Sequence, residues 1–177
     1  DSKEIKGVKF LPIYWKKSEN LAKDVKYDVS LIGSDHDNRF NIVNKVIPQL
    51  KERNVSYCFK IYSETDLEDP YGIIIKNPIP IEETNYITSA SNCIFDTDRE
   101  IQTGVTPRLI WALANGKKVI STNKNLSRLG FVDMEQVRIV DRNNPIIDIE
   151  FLLNKTSYKV SDYLKSLEVD NWVENFL

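Results

Sequence analysis

Between residues 27 and 62, a β-rich run ending in glycine, a polar turn, an amphipathic helix and a second β-rich run follow one another. YDVSLIGS (27–34) is the first run and stops at Gly33 and Ser34. SDHDN follows, with Asp35, Asp37 and Asn38 as helix N-cap candidates. Over 39–53 the apolar residues Phe40, Val43, Ile47 and Leu50 recur at helical spacing, and VSYCFKIY (55–62) is the second strand. Such a unit is a βαβ crossover, which joins parallel strands and so commits the chain to an α/β sheet. Pro48 falls inside the helical pattern and predicts a kink or an early end there.

The rest of the chain keeps this rhythm. A polar stretch over 63–82 carries the apolar run at 72–75, a candidate short strand, and a short helix is expected over 82–90. NCIFD (92–96) is a core strand and 97–104 a polar loop. In TPRLIWALANG, Pro107 suits the first turn of a helix and Gly116 its C-cap. KKVISTN (117–123) and QVRIVD (136–141) are further strands, with one helical turn at LSRLGF between them. Asn144 and Pro145 are expected to open a helix through Leu153. The tail, 161–177, reads as one or two amphipathic helices from a Ser161 or Asp162 cap. The expectation is one Rossmann-like, doubly wound parallel sheet, with strands near 28–33, 56–61, 92–96, 118–122 and 137–140.

Residues 1–20 stand outside this rhythm. VKFLPIYW is apolar and aromatic and is followed by a polar connector. The segment reads as the end of a preceding domain or an interdomain linker, lying outside the sheet or along its surface. The division is then 1–20, a Rossmann-like domain over 21–160, and a helical segment over 161–177. The chain opens on DSKEIKGVKF, with neither an initiator Met nor an apolar leader. This predicts a start inside a longer polypeptide or after a cleavage.

The net charge of -2 argues against a nucleic-acid-binding surface. The pairs Lys16-Lys17 and Lys117-Lys118 read as solvated faces. No apolar run reaches the roughly 18–20 residues of a membrane span. Cys58 and Cys93 each sit in a strand-like apolar run and read as reduced core residues, in keeping with a cytoplasmic location, the inner face of the membrane included. With a single histidine beside them, no zinc site is expected.

Ligands of open α/β sheets bind beyond the carboxyl ends of the strands. That rule selects the loops at 33–38, 62–64, 96–108 and 121–125. They carry Ser34, Asp35, His36, Asp96, Asp98, Arg99, Gln102, Thr106, Arg108, Thr122 and Asn123, with Arg39 just beyond the first loop. This set suits phosphates and sugar hydroxyls. The most informative segment is GVTPRLIWALANGKKVISTN (104–123), where Thr106 and Arg108 fall at the start of a helix. Helix N-termini attract anions, and a guanidinium there adds a charged, bidentate donor. The alternative is that Thr106 only caps the helix while Arg108 points to solvent. His36, between Asp35 and Asp37, is either a titrating base or a loop residue. Asp96 and Asp98 read as loop-capping carboxylates in preference to metal ligands.

The 104–123 segment resembles the hallmark stretch of bacterial lipopolysaccharide and capsule glycosyltransferases of the GT-B fold. The run KYDVSLIGSDHDNR resembles the first strand and glycine loop of their C-terminal, donor-binding domain. FLPIYW is similar to the segment that joins their two domains, and the Trp172 tail to their closing helix. The resemblance implies an enzyme half that binds a nucleotide diphosphate sugar, without a cofactor or metal. The sugar would pass to a glycan or lipid-linked acceptor held by a missing N-terminal domain. It implies donor contacts from Gly33, Ser34, Arg39, Asp96, Thr106, Arg108 and Asn123. Arg108 is expected to be replaceable with little effect on folding. The chain departs from the family pattern at Trp111, where members usually carry a ribose-binding glutamate; a further acid in retaining relatives falls on Thr103. Trp111 either packs beside Leu113 or stacks on a nucleobase. Two other readings remain: a degenerate binding or scaffold module, and a flavodoxin-like or receiver-like regulatory domain using Asp35, Asp37, Asp96 and Lys124.

Overall fold

In the computed structural model, residues 13–17, 21–101 and 104–174 are described. Six strands form one all-parallel sheet: β1 (Tyr27–Ser34), β2 (Tyr57–Tyr62), β3 (Ile74–Ile75), β4 (Ser91–Asp96), β5 (Lys118–Ser121) and β6 (Val137–Ile139). Their spatial order is β3-β2-β1-β4-β5-β6, the order of a doubly wound dinucleotide-binding sheet. The helices are α1 (Arg39–Glu52), α2 (Ile81–Ser89), α3 (Pro107–Ala114), α4 (Ile149–Leu153), α5 (Asp162–Ser166) and α6 (Val169–Val173). The fold is therefore α/β and Rossmann-like, as the alternating pattern requires. Among the described residues no helix is long and apolar enough to cross a membrane.

Strand alternation divides the core. Val29 and Leu31 face one side of β1 and pack with Phe40, Val43, Ile47 and Leu50 of α1 and with Phe151 and Leu152 of α4. Ile94 and Val119 face the other side, against Leu109, Ile110 and Leu113 of α3 and Leu164 of α5. Trp15 joins this second layer. Its amide donates to Leu167 O (2.9 Å), its carbonyl accepts from Val169 N (2.8 Å), and its indole N–H donates to Leu164 O (2.6 Å). The described part of the first segment thus lies outside the sheet, fastened to the tail helices; residues 1–12, 18–20 and Phe176 lie outside the described residues.

Three local expectations are corrected. Of the kink or early end expected at Pro48, the early end does not occur, since α1 runs through it to Glu52. A mid-helix proline costs about 3 kcal/mol. Here its ring is exposed, while six apolar side chains of the same helix are buried, at about 1.5–3 kcal/mol each. Asn144 and Pro145 open no helix. The Asp141 carboxylate takes the amides of Asn143 and Asn144 at 2.8 and 3.0 Å, and Gln49 bonds Pro145 O and Ile147 N, holding the segment as a loop against α1. α4 starts later, where the Asp148 side chain caps Phe151 N at 2.9 Å. The Lys117-Lys118 pair is not a solvated face. Lys118 is 1% exposed and its ammonium donates to Phe151 O, Leu152 O and Asn154 O at the end of α4. Lys117 reaches Ser89 O at 2.6 Å. Burial pulls both lysines below their ordinary pKa. Cys93 is buried and Cys58 half-buried, and both are free thiols.

Lys118 therefore acts as the C-terminal cap of α4, through bonds of a kind that contribute about 1.5–3 kcal/mol each. Lys118→Met fills the same space without the donors and should lower the unfolding free energy by about 2 kcal/mol in urea denaturation. Lys17→Ala, at an exposed position, should stay within about 0.5 kcal/mol of the parent. Equal stabilities for the two variants would refute the capping role.

Candidate functional site at the carboxyl edge

The crevice of this sheet is fixed by topology. α1 leaves β1 toward one face and α3 leaves β4 toward the other, so the loops after these adjacent strands diverge at the switch point. Asp96, the last residue of β4, is 1% exposed. Its Oδ1 accepts from Thr106 Oγ1 and from Arg108 Nη1, both at 2.7 Å, and its Oδ2 from Ser121 Oγ at 3.2 Å. Thr106 also accepts from Leu109 N at 3.1 Å and so caps α3. Arg108 Nε donates to Ile32 O at 3.1 Å, tying the carboxyl ends of β1 and β4 together.

Arg39, the first residue of α1, approaches from the other side. It is 7% exposed. Its Nε donates to Thr97 Oγ1 (2.6 Å), its Nη2 to Thr97 O (3.2 Å) and its Nη1 to Ser34 O. Among the described residues it forms no ion pair, while Arg108 is paired with Asp96 and Arg142 with Asp98. Burial, and next the repulsion of Arg108, lower its pKa to about 10, against the pull of Asp96 and Asp35. The guanidinium is still charged at neutral pH.

Both guanidinium groups lean over Gly33. A Cβ there would lie 2.6 Å from Arg108 Nη2 and 2.8 Å from Arg39 Nη1. Glycine is needed at this position for space; its φ is not among the positive values. Behind it, Asp35 Oδ1 takes Phe40 N at 3.0 Å, capping α1 from outside, and Asp37 and Asn38 adopt φ of 49° and 64°. Among residues with a side chain, Asp and Asn are the ones that tolerate that left-handed region.

The structure brings Gly33, Ser34, Arg39, Asp96, Thr106 and Arg108 together at one edge. Asn123 stands nearby with its side chain engaged: Nδ2 donates to Gly104 O at 2.8 Å and Oδ1 accepts from Asn125 N at 2.9 Å. It joins two of the loops. His36 is exposed. Asp98 accepts from Thr122 Oγ1 (2.6 Å) and Arg142 Nη2 (3.1 Å). Arg99 is exposed, and Gln102 and Thr103 lie outside the described residues. Lys124 pairs with Asp141 at 3.3 Å and Asp96 with Arg108, so the acid–lysine pair of a receiver domain is not formed between them. Among the described residues no group of three His, Cys, Asp or Glu could hold a metal ion.

Two contributors escape the four loops chosen from sequence. Arg142 follows β6 and reaches back to Asp37 O at 2.8 Å and to Asp98. The carboxyl-edge rule, applied to the sixth strand, would have included it. Trp111 is half-buried one turn below Arg108 and lines a cavity of about 240 Å³ between α2 and α3. Comparison with known protein families, characterised proteins and solved structures gives no match to this chain.

These contacts set the cost of two substitutions. Arg108→Ala leaves the Asp96 carboxylate buried without its cation, which should remove about 3–5 kcal/mol of stability in chemical denaturation. The expectation of unchanged folding is thereby withdrawn. Gly33→Ala should cost about 1–3 kcal/mol, because a methyl must displace side chains held by other bonds. Combined with Arg39→Ala, which removes one of the two clashes, the losses should fall short of their sum by more than about 0.5 kcal/mol. Strict additivity would mean that Arg39 does not occupy the space over Gly33.

Proposed function

We propose that this chain is the donor-binding domain of a glycosyltransferase that uses a nucleotide diphosphate sugar and passes the sugar to a bacterial surface glycan. The observation that carries the reading is the pair of guanidinium groups over Gly33 at the switch point, one of them buried with no carboxylate partner among the described residues. A buried, unneutralised cation is costly unless something anionic meets it. A pyrophosphate placed over Gly33 would receive Arg39 and the free edge of Arg108, with the N-termini of α1 and α3 nearby. Fixed positive charge at that point stabilises the departing nucleoside diphosphate as the glycosidic bond breaks. The similarity of residues 104–123 to the GT-B hallmark supplies the reaction class. Acceptor and catalytic base would come from a preceding domain, so this chain alone should bind donor without turning it over.

A degenerate module of the same ancestry, serving as a scaffold, is the second reading. Trp111 in the place of the ribose-binding glutamate favours it. Titration calorimetry with UDP, GDP, CDP and dTDP separates the two, since the scaffold binds none of them.

Arg39→Met is the decisive variant. It removes a charge that burial opposes but also the donors to Ser34 and Thr97, so stability should fall by no more than about 2 kcal/mol, while nucleoside-diphosphate affinity should fall about tenfold to a hundredfold, the loss expected for a charge-assisted contact. The pH dependence has a definite sign. Burial lowers the Arg39 guanidinium from its ordinary range to about 10 in the native state. Below about pH 10 the protonated group burdens the fold, and the burden lifts as pH rises through that value. Binding should run the other way and weaken above pH 10 in the parent but not in Arg39→Met. Unchanged affinity in Arg39→Met would remove Arg39 from the phosphate site.

A further inference from the structure

The cavity between α2 and α3 has a composition that the phosphate site does not use. Its floor is formed by Ser30 and Ile32 of β1 and Ile94 of β4, the two strands that flank the switch point. One wall is Trp111 and Arg108 of α3; the other is Thr84 and Thr88, one turn apart on α2. Among the described residues neither threonine hydroxyl makes a hydrogen bond, although helical threonines commonly bond back to the preceding turn. The indole is left half-buried beside about 240 Å³ of open space, where a packed interior would close on it. That volume is below the roughly 300–1,000 Å³ of sites that enclose a whole drug-sized ligand. It suits one ring system whose remainder extends elsewhere. Arg108 lines the cavity and also overhangs Gly33 with its guanidinium, so the two spaces share a wall.

We infer that this cavity is the nucleobase subsite: a base lies flat against Trp111 with its polar edge toward Thr84 and Thr88, and its diphosphate reaches Arg39 and Arg108. The inference rests on the nucleotide reading above. It gives Trp111 a binding role in place of the usual ribose clamp and assigns base recognition to α2. Stacking brings affinity with little preference among bases. The threonine hydroxyls, each able to donate and to accept, bring the preference.

The test compares UDP, GDP, CDP and dTDP with inorganic pyrophosphate, which has the charge but no ring. In the parent, the tightest of the four diphosphates should quench tryptophan emission, and pyrophosphate should not. Trp111→Leu should lose the quenching and weaken that diphosphate about tenfold, in line with measured base–aromatic contacts, while pyrophosphate affinity stays the same. Trp111→Phe should stay within about threefold of the parent, since it keeps an aromatic face. Thr84→Val with Thr88→Val should change the ranking of the four bases and leave pyrophosphate alone. If Trp111→Leu binds the diphosphates as the parent does, or loses pyrophosphate in the same proportion, the base subsite is overturned while the phosphate reading stands. If the parent binds neither diphosphates nor pyrophosphate, both readings fall.

Discussion

The buried carboxylate of Asp96 is the joint on which the carboxyl edge is built. β4 ends on it, the cap of α3 donates to it, Arg108 pairs with it, and Ser121 of β5 completes its shell. Through Arg108 the same joint reaches the end of β1. The backbone ladder between β1 and β4 runs only to Ser30 and Ile94, so beyond it their carboxyl ends are tied by side chains. One ionic group in a dry position does this, with donors to both of its oxygens. Such a pair contributes little net stability against an apolar substitute but is severely destabilising when half of it is lost. Its value lies in geometry: it fixes where the second nitrogen of Arg108 points.

The three arginines of the edge occupy different electrostatic positions. Arg108 and Arg142 are matched by Asp96 and Asp98, and both pairs are mostly shielded from water. Arg39 is satisfied only by neutral oxygens. Carbonyl dipoles and a hydroxyl can orient a guanidinium without cancelling its charge. The edge therefore keeps one guanidinium without a carboxylate in contact, in a buried position where its field is screened less than that of a surface lysine. Two guanidinium groups paired with carboxylates frame one that is not.

Much of this was legible from residue pattern because the signals are short-range. The run ending at Gly33, the helix start at Thr106 and Pro107, and the Ser161 cap each depend on neighbours a few positions away. The structure has them as read, with Ser161 Oγ taking Leu164 N at 3.2 Å. What stayed hidden is set by distant partners. Lys118 looks like surface in a list of charges, yet its strand position places it under α4, where unpaired carbonyls receive it. Asn144-Pro145 carries a helix-opening signal that Gln49, on another helix, overrides. The clash space over Gly33 cannot be inferred from the glycine itself, because it is created by side chains from α1 and α3. Trp111 was visible as a departure from a family pattern, but the hollow beside it exists only once α2 and α3 are placed.

The clasp between Trp15 and Leu164 has a kinetic consequence. The two residues are 149 positions apart, whereas the sheet pairs β1 with β2 and β4 with β5 over far shorter loops. Closing so long a loop is entropically costly and is rewarded only after the surfaces it joins already exist. The layer of α5, α6 and the 13–17 segment should thus be the last to dock and the first to peel away. In native-state hydrogen exchange its amides should open together, as one sub-global unit, at a lower free energy than the central strands. Flexing at this layer changes what the second face of the sheet presents while the carboxyl edge, held by Asp96 on inner strands, keeps its shape.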